Sequence, residues 1–135
     1  MIFVDTNIFM YAVGKEHPYK QKCVNFLKKV ARSSAANEYC INTEVLQEVL
    51  HRYKAINKPS IGFELFDMIL NLQLVIHPIE LGDLKIARTL MTKHPKIGTR
   101  DAVHLGFSIR REITRIISYD SDFDSEGSIE RVEPS

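Results

Sequence analysis

The chain has 135 residues, 44% hydrophobic and 26% charged, with a net charge of +1, which fits one globular domain over 1–135 and leaves too little chain for two. That balance excludes a largely disordered chain and lacks the overall basic charge that marks many nucleic-acid binders. No apolar run approaches the ~20 residues a membrane helix needs, and Met1 to Asp5 has no basic signal-peptide start, so a cytoplasmic protein without membrane association is expected.

Ile2-Phe3-Val4 is a continuous apolar run, as in a buried parallel strand. Asp5-Thr6-Asn7 then caps a short helix over Ile8 to Val13, and Gly14 ends it. After His17-Pro18 a second helix buries Cys23, Phe26, Leu27 and Val30, at helical spacing. Cys23 and Cys40 have neither metal-ligand nor redox spacing, and Cys23 reads as a buried free thiol.

A short strand is predicted over Glu38 to Ile41, followed by a helix capped by Thr43 with a stripe of Val45, Leu46, Val49, Leu50 and Tyr53. Lys58-Pro59 stops it. The next helix, from about Ser60 to Leu70, carries Phe63, Phe66, Ile69 and Leu70 as a stripe for the core, a dimer or a partner. Leu74-Val75-Ile76 is the third strand. Asp83 caps a helix with Ile86, Ala87, Leu90 and Met91 inward, and Thr99 caps another over Ala102 to Arg110. Arg115 to Ser118 and Ile129 to Val132 complete four or five strands. Strands alternating with helices imply a three-layer α/β/α sandwich around a mostly parallel sheet.

Charge is unevenly distributed. Lys15 to Arg32 holds six basic residues and one acid, Lys85 to Arg115 holds eight and two, and Asp120 to Glu133 holds six acids and one Arg. A neutral total can thus conceal a basic rim around an acidic centre.

Four acidic clusters stand at the edges of apolar segments: Asp5, the pair Glu44 and Glu48, Asp101, and Asp120, Asp122 and Asp124. Taken singly, each has an ordinary explanation. Glu44 and Glu48 share a helix face and can both be exposed. Asp101 is a helix N-terminal acid, favoured there by roughly 0.3–1 kcal/mol. The last three can form a polar turn. In a parallel sheet, however, ligands bind beyond the carboxyl ends of the strands. Acids gathered there repel unless a cation joins them. One or two Mg²⁺ or Mn²⁺ ions, ~3.5–4 Å apart when paired, would neutralise them and clamp a phosphodiester. Thr6, Asn7 and Ser118 would orient ligands or water. His104, three positions after Asp101, reads as a general acid or, preferably, as a packed structural histidine.

These motifs in order, Val4-Asp5-Thr6-Asn7, Glu44 to Glu48, Thr99-Arg100-Asp101-Ala102-Val103-His104 and Ser118-Tyr119-Asp120-Ser121-Asp122-Phe123, span nearly the whole chain. Together they resemble the PIN-domain family, and within it the VapC-type toxin ribonucleases. The resemblance implies a metal-dependent endoribonuclease that prefers single-stranded RNA, a homodimer, and a small antitoxin partner that places a helix or a basic side chain at the acidic site. It maps the family acids to Asp5, Glu48, Asp101 and Asp120. Asp5, Asp101 and Asp120 would hold the metal and Glu48 would help activate water. Glu44 remains an alternative to Glu48, and Asp122 to Asp120. Arg52, Lys96 and Arg100 are candidates for guiding the RNA backbone.

Two other readings stay open. A haloacid-dehalogenase-like phosphatase also places an Asp after its first strand, but wants a second Asp where this chain has Asn7. A PIN-like scaffold that binds RNA or protein without cutting ranks below the nuclease, because no residue that cutting requires is missing from the chain.

Overall fold

Ile2–Val4 forms β1, and because both its faces are covered, the run is apolar without alternation. The computed structural model describes residues 1–32 and 37–135. After β1 come α1 (Thr6–Val13), α2 (Lys20–Arg32), β2 (Tyr39–Asn42), α3 (Thr43–Ala55), α4 (Pro59–Asn71), β3 (Val75–His77), α5 (Leu81–Lys93), α6 (Thr99–Arg110), β4 (Arg115–Ile117), a 3₁₀ turn (Ser121–Ser125) and β5 (Glu130–Val132).

The five strands are all parallel, in the order β3-β2-β1-β4-β5. The chain first runs outward from β1 through β2 to β3, then crosses back to place β4 on the other side of β1. The order therefore reverses between β1 and β4. Right-handed crossovers put the helices of the outward run on one face and those of the return on the other. The packing agrees: α1 to α4 contact one another, and α5 pairs with α6. This is the α/β/α sandwich expected from the sequence.

The core follows from the helical stripes. Cys23, Phe26, Leu27 and Val30 of α2 are all buried. Phe3, Phe9, Ile41, Leu105, Phe107 and Ile116 fill the space against the sheet. Cys23 and Cys40 are free buried thiols, and burial pushes them up to about 11 and about 12 respectively. Helices α5 and α6 approach closely at Gly106: a side chain there would meet the Asp83 carbonyl at 2.5 Å. Below this contact the carboxylate of Asp83, fully buried, accepts from Arg111 at 2.7 Å and Arg110 at 3.4 Å.

Several expectations require correction. Asn42, not Thr43, caps α3, its side chain accepting from Val45 N–H at 3.1 Å, while the Thr43 hydroxyl accepts from Ile79 N–H. Glu80 caps α5, and Asp83 is the reciprocal third residue of that capping box. Gly98, not Thr99, holds the cap position of α6. The α4 stripe is rotated. Gly62, Leu65 and Ile69 face inward, whereas Phe63 and Leu70 are exposed, as is Leu50 on α3. Gly62 lets α4 lie directly on Tyr53 of α3, where an added Cβ would stand 2.9 Å from the Tyr53 Cβ.

Candidate active site at the carboxyl end of the sheet

The reversal between β1 and β4 leaves a crevice at their carboxyl ends, and Asp5 stands at its floor. Its backbone N–H continues the sheet by donating to the Ile117 carbonyl at 3.0 Å. Its side chain caps α1, with Oδ1 accepting from Thr6 N–H at 2.7 Å. Its other oxygen accepts from the Ser118 hydroxyl at 2.6 Å. Asp5 is buried, and that burial raises its pKa despite the Ser118 hydrogen bond, which favours the charged form.

Ser118, directly after β4, joins the parts. It accepts from Asp120 N–H at 2.9 Å and lies 3.5 Å from the Asn7 amide nitrogen. Asp120 in turn caps the 3₁₀ turn through Asp122 N–H. Phe123, fully buried, anchors this turn, so the acids on either side of it diverge. Asp122 turns to Asp120, while Asp124 pairs with Arg131. Carboxylate oxygens of Asp101, Asp120 and Asp122 lie within 4.8 Å of one another.

Asp101 reaches this cluster from the first turn of α6. Burial, then the charge and hydrogen bond of Asp120, then Asp5, push its pKa up to about 8. Such a group is partly protonated at neutral pH unless a cation stands beside it. Thr6 Oγ1 and Asn7 Oδ1, next to Asp5 in the chain, are buried with no hydrogen-bond partner among the described residues. The donors are all oxygens, the set that suits Mg²⁺ or Mn²⁺ rather than softer metals.

Glu48 comes from the second turn of α3 and meets His104 of α6, with Oε1 and Nε2 at 2.6 Å. Glu44, one turn earlier, pairs with Arg100 at 3.7 Å. Its pKa is raised by burial first and by Glu48 second. His104 is fully buried under Glu48, and its ring lies 4.9 Å from that of Phe3. It is thus the packed histidine of the preferred reading, and it has no exposure for a general acid. Sequence reasoning missed Asn42, which touches this histidine. An Asn just before a helix was the available signal.

A groove of about 1100 Å³ runs from Asn7 and Glu48 along α1, α3 and α4. Lys15, Arg52, Lys58 and Arg100 line it, together with Tyr11 and Tyr53. Among the described residues, Lys15, Arg52 and Lys58 form no ion pair. Lys96, by contrast, is exposed on the loop between α5 and α6 and does not border the groove.

An all-parallel sheet reversing at β1, with carboxylates gathered from the ends of β1 and β4 and from α3 and α6, is the fold of a PIN-type domain. The chain belongs to the PIN-domain family, whose model matches residues 2–126. It is 36% identical to Ribonuclease VapC13 of Mycobacterium tuberculosis over 132 residues, covering 98% of this chain and 99% of that protein. Among solved structures, it resembles that of Mycobacterium tuberculosis VapC20, described as a toxin cleaving the sarcin-ricin loop (TM-score 0.77, 12% identity, 93% of this chain and 94% of that one). It also resembles VapBC2 from Rickettsia felis, bound to a DNA fragment from its promoter (TM-score 0.75, 21% identity, all of both chains).

Proposed function

We propose that this protein is a metal-dependent endoribonuclease, acting on single-stranded or structured RNA, and the toxin of a VapBC-type toxin–antitoxin pair. The observation that carries the reading is the trio of Asp101, Asp120 and Asp122 oxygens within 4.8 Å of one another beside buried Asp5, in a chain 36% identical to a protein named a ribonuclease. Asp5, Asp101 and Asp120, with Asp122 at their side, would hold one or two Mg²⁺ or Mn²⁺ ions. Such an ion lowers the pKa of bound water and neutralises charge on the scissile phosphate.

The chain's own residues supply the rest. Ser118 and Thr6 N–H fix the Asp5 carboxylate in one orientation. Glu48 gives one oxygen to His104, which leaves the other to take a proton from an attacking water. Arg52 and Arg100, on the groove wall, would hold the phosphates on either side of the cut. Asp5 is buried and both its oxygens accept hydrogen bonds, a poor disposition for the nucleophile of a phosphatase.

The antitoxin, a homodimeric state and a cytoplasmic location belong to the same reading. Among the described residues no helix is long and apolar enough to cross a membrane. The test is to incubate purified protein with a mixed single-stranded RNA pool in Mn²⁺, Mg²⁺ or EDTA. Cleavage that requires metal supports the reading. RNA binding with no turnover in any lane, by folded protein free of a co-purified inhibitor, replaces it with the non-cutting scaffold. Growth arrest on expression, relieved by a neighbouring gene product, distinguishes a toxin from a housekeeping nuclease.

A further inference from the structure

Asn42 stands where β2 becomes α3, and its two side-chain ends perform different tasks. Its Oδ1 accepts from Val45 N–H at 3.1 Å and so caps α3. That commitment turns Nδ2, a donor only, toward His104 Nδ1 at 3.1 Å. An imidazole nitrogen facing a donor must accept. The ring proton therefore belongs on Nε2, which points at Glu48 Oε1 from 2.6 Å. Asn42 and His104 are both fully buried, and the Phe3 ring packs 4.9 Å from the imidazole, so neither side chain has room to turn. Glu48 has no other hydrogen-bond partner among the described residues, and it borders the open groove.

We infer that Asn42 and His104 form a positioning relay, in which the helix cap sets the imidazole tautomer and the imidazole holds one oxygen of Glu48 so that the other faces the groove. The inference rests on the nuclease reading. A free glutamate on a helix samples many rotamers, and the relay selects one of them in the resting protein, before substrate arrives. The same Asn42 sets the start of α3, so the position of Glu48 along the helix and its orientation are fixed by one residue. His104 is a positioning residue: it is buried behind Glu48 and does not reach the groove.

The test uses three variants. Asn42→Asp keeps an oxygen for the Val45 cap and nearly the same volume, but presents an acceptor to Nδ1. His104→Gln keeps a donor near the Nε2 position, whereas His104→Leu removes it. Folding is checked by circular dichroism and thermal melting. Loss of the hydrogen-bonded partner of a metal-site carboxylate typically costs about 10–100-fold. The relay predicts that fall in kcat for His104→Leu, little change in KM, and recovery of most of the loss in His104→Gln; in Asn42→Asp the new carboxylate draws a second proton onto Nδ1 while Nε2–H still holds Glu48.

Imidazole ¹⁵N shifts of the metal-free wild type supply a readout independent of activity, with Nε2 protonated and Nδ1 bare. The opposite tautomer in the wild type, an Asn42→Asp imidazole whose Nδ1 stays bare, or a folded His104→Leu protein with wild-type kcat, overturns the relay alone. No cleavage by the wild type with metal overturns the nuclease reading, and the relay's catalytic role with it. If His104→Leu does not fold, Asn42→Asp and the ¹⁵N shifts decide.

Discussion

The Ser118 hydroxyl donates to Asp5 Oδ2 at 2.6 Å, across 113 positions of chain. The two residues follow adjacent parallel strands, β1 and β4, and this bond closes the crevice where the strand order reverses. Ser118 also accepts from Asp120 N–H, so one hydroxyl ties the two ends of the acidic site together. Removing it in Ser118→Ala leaves a buried carboxylate oxygen without its donor. The expected cost is about 1–3 kcal/mol in denaturant melts, with reduced RNA cleavage by the protein that remains folded. Unchanged stability would mean that water replaces the hydroxyl.

Repulsion among the acids makes the site a source of instability in the metal-free protein. Asp101→Asn removes a carboxylate that burial and its acidic neighbours lift to about 8. The variant should melt higher than the wild type without metal, by roughly 3–6 °C for each ~1 kcal/mol relieved. It should also lose about two orders of magnitude or more in cleavage, the scale of removing a group that organises transition-state charge. A variant that is both less stable and inactive would point to a structural role for Asp101.

The pH dependence has a definite sign. Asp101 titrates at about 8 in the folded chain and Asp5 is also raised, burial being the leading cause for both. Unfolded, each titrates at ~3.9. Between those values the folded state binds more protons, so stability falls as pH rises. Metal-free protein should gain stability as the buffer goes from about pH 8 toward about pH 5, and saturating Mg²⁺ should flatten the slope. Asp83 acts oppositely. Its burial is outweighed by Arg111 and the Glu80 N–H, which lower its pKa. Its contribution is complete above ~3.9 and is lost as pH falls through the lower folded value. Thermal melts across pH, with and without Mg²⁺, read both effects.

Away from the site, the α5–α6 contact should tolerate little change. In Gly106→Val the new Cβ would stand 2.5 Å from the Asp83 carbonyl and 3.0 Å from the Ala87 backbone nitrogen. Overpacking of this kind costs about 1–3 kcal/mol. A shifted urea midpoint with unchanged specific activity of the folded fraction is the expected result. A variant as stable as the wild type would show that the two helices separate freely.

The layers of the fold were legible because apolar runs and helical stripes report burial directly. Ile2-Phe3-Val4 and the Cys23 to Val30 stripe needed no tertiary information. The helix ends were harder to read. Asn42 caps α3 in place of Thr43 because the strand runs straight into the helix, and an Asn just before the helical stripe was the local signal for it. Helices α3, α4 and α6 are each followed closely by a left-handed residue other than glycine, Asn57, Gln73 and Glu112, so a search for glycine does not mark them. On α4, hydrophobicity alone would turn Phe63 inward, whereas the face is set by Gly62 against Tyr53.

The acids were visible as types and positions, and their grouping was not. Asp120 and Asp122 read as competitors because a turn can present one or the other. In the structure Phe123 is buried, and both carboxylates join Asp101. Glu44 and Glu48 are equivalent on a helix surface until Arg100 and His104 divide them. The Asn42–His104 contact joins residues 62 positions apart, and nothing in either local pattern predicts it.

A metal-dependent nuclease centred on Asp5 is tested by comparing wild type and Asp5→Asn on single-stranded RNA with Mn²⁺, beside an EDTA lane, after both proteins are shown to be folded. Asn keeps the volume of Asp5 and an oxygen to cap α1, but removes the charge at the floor of the crevice. The expected result is cleavage by the wild type only, and only with metal. Equal metal-dependent cleavage by Asp5→Asn would contradict it.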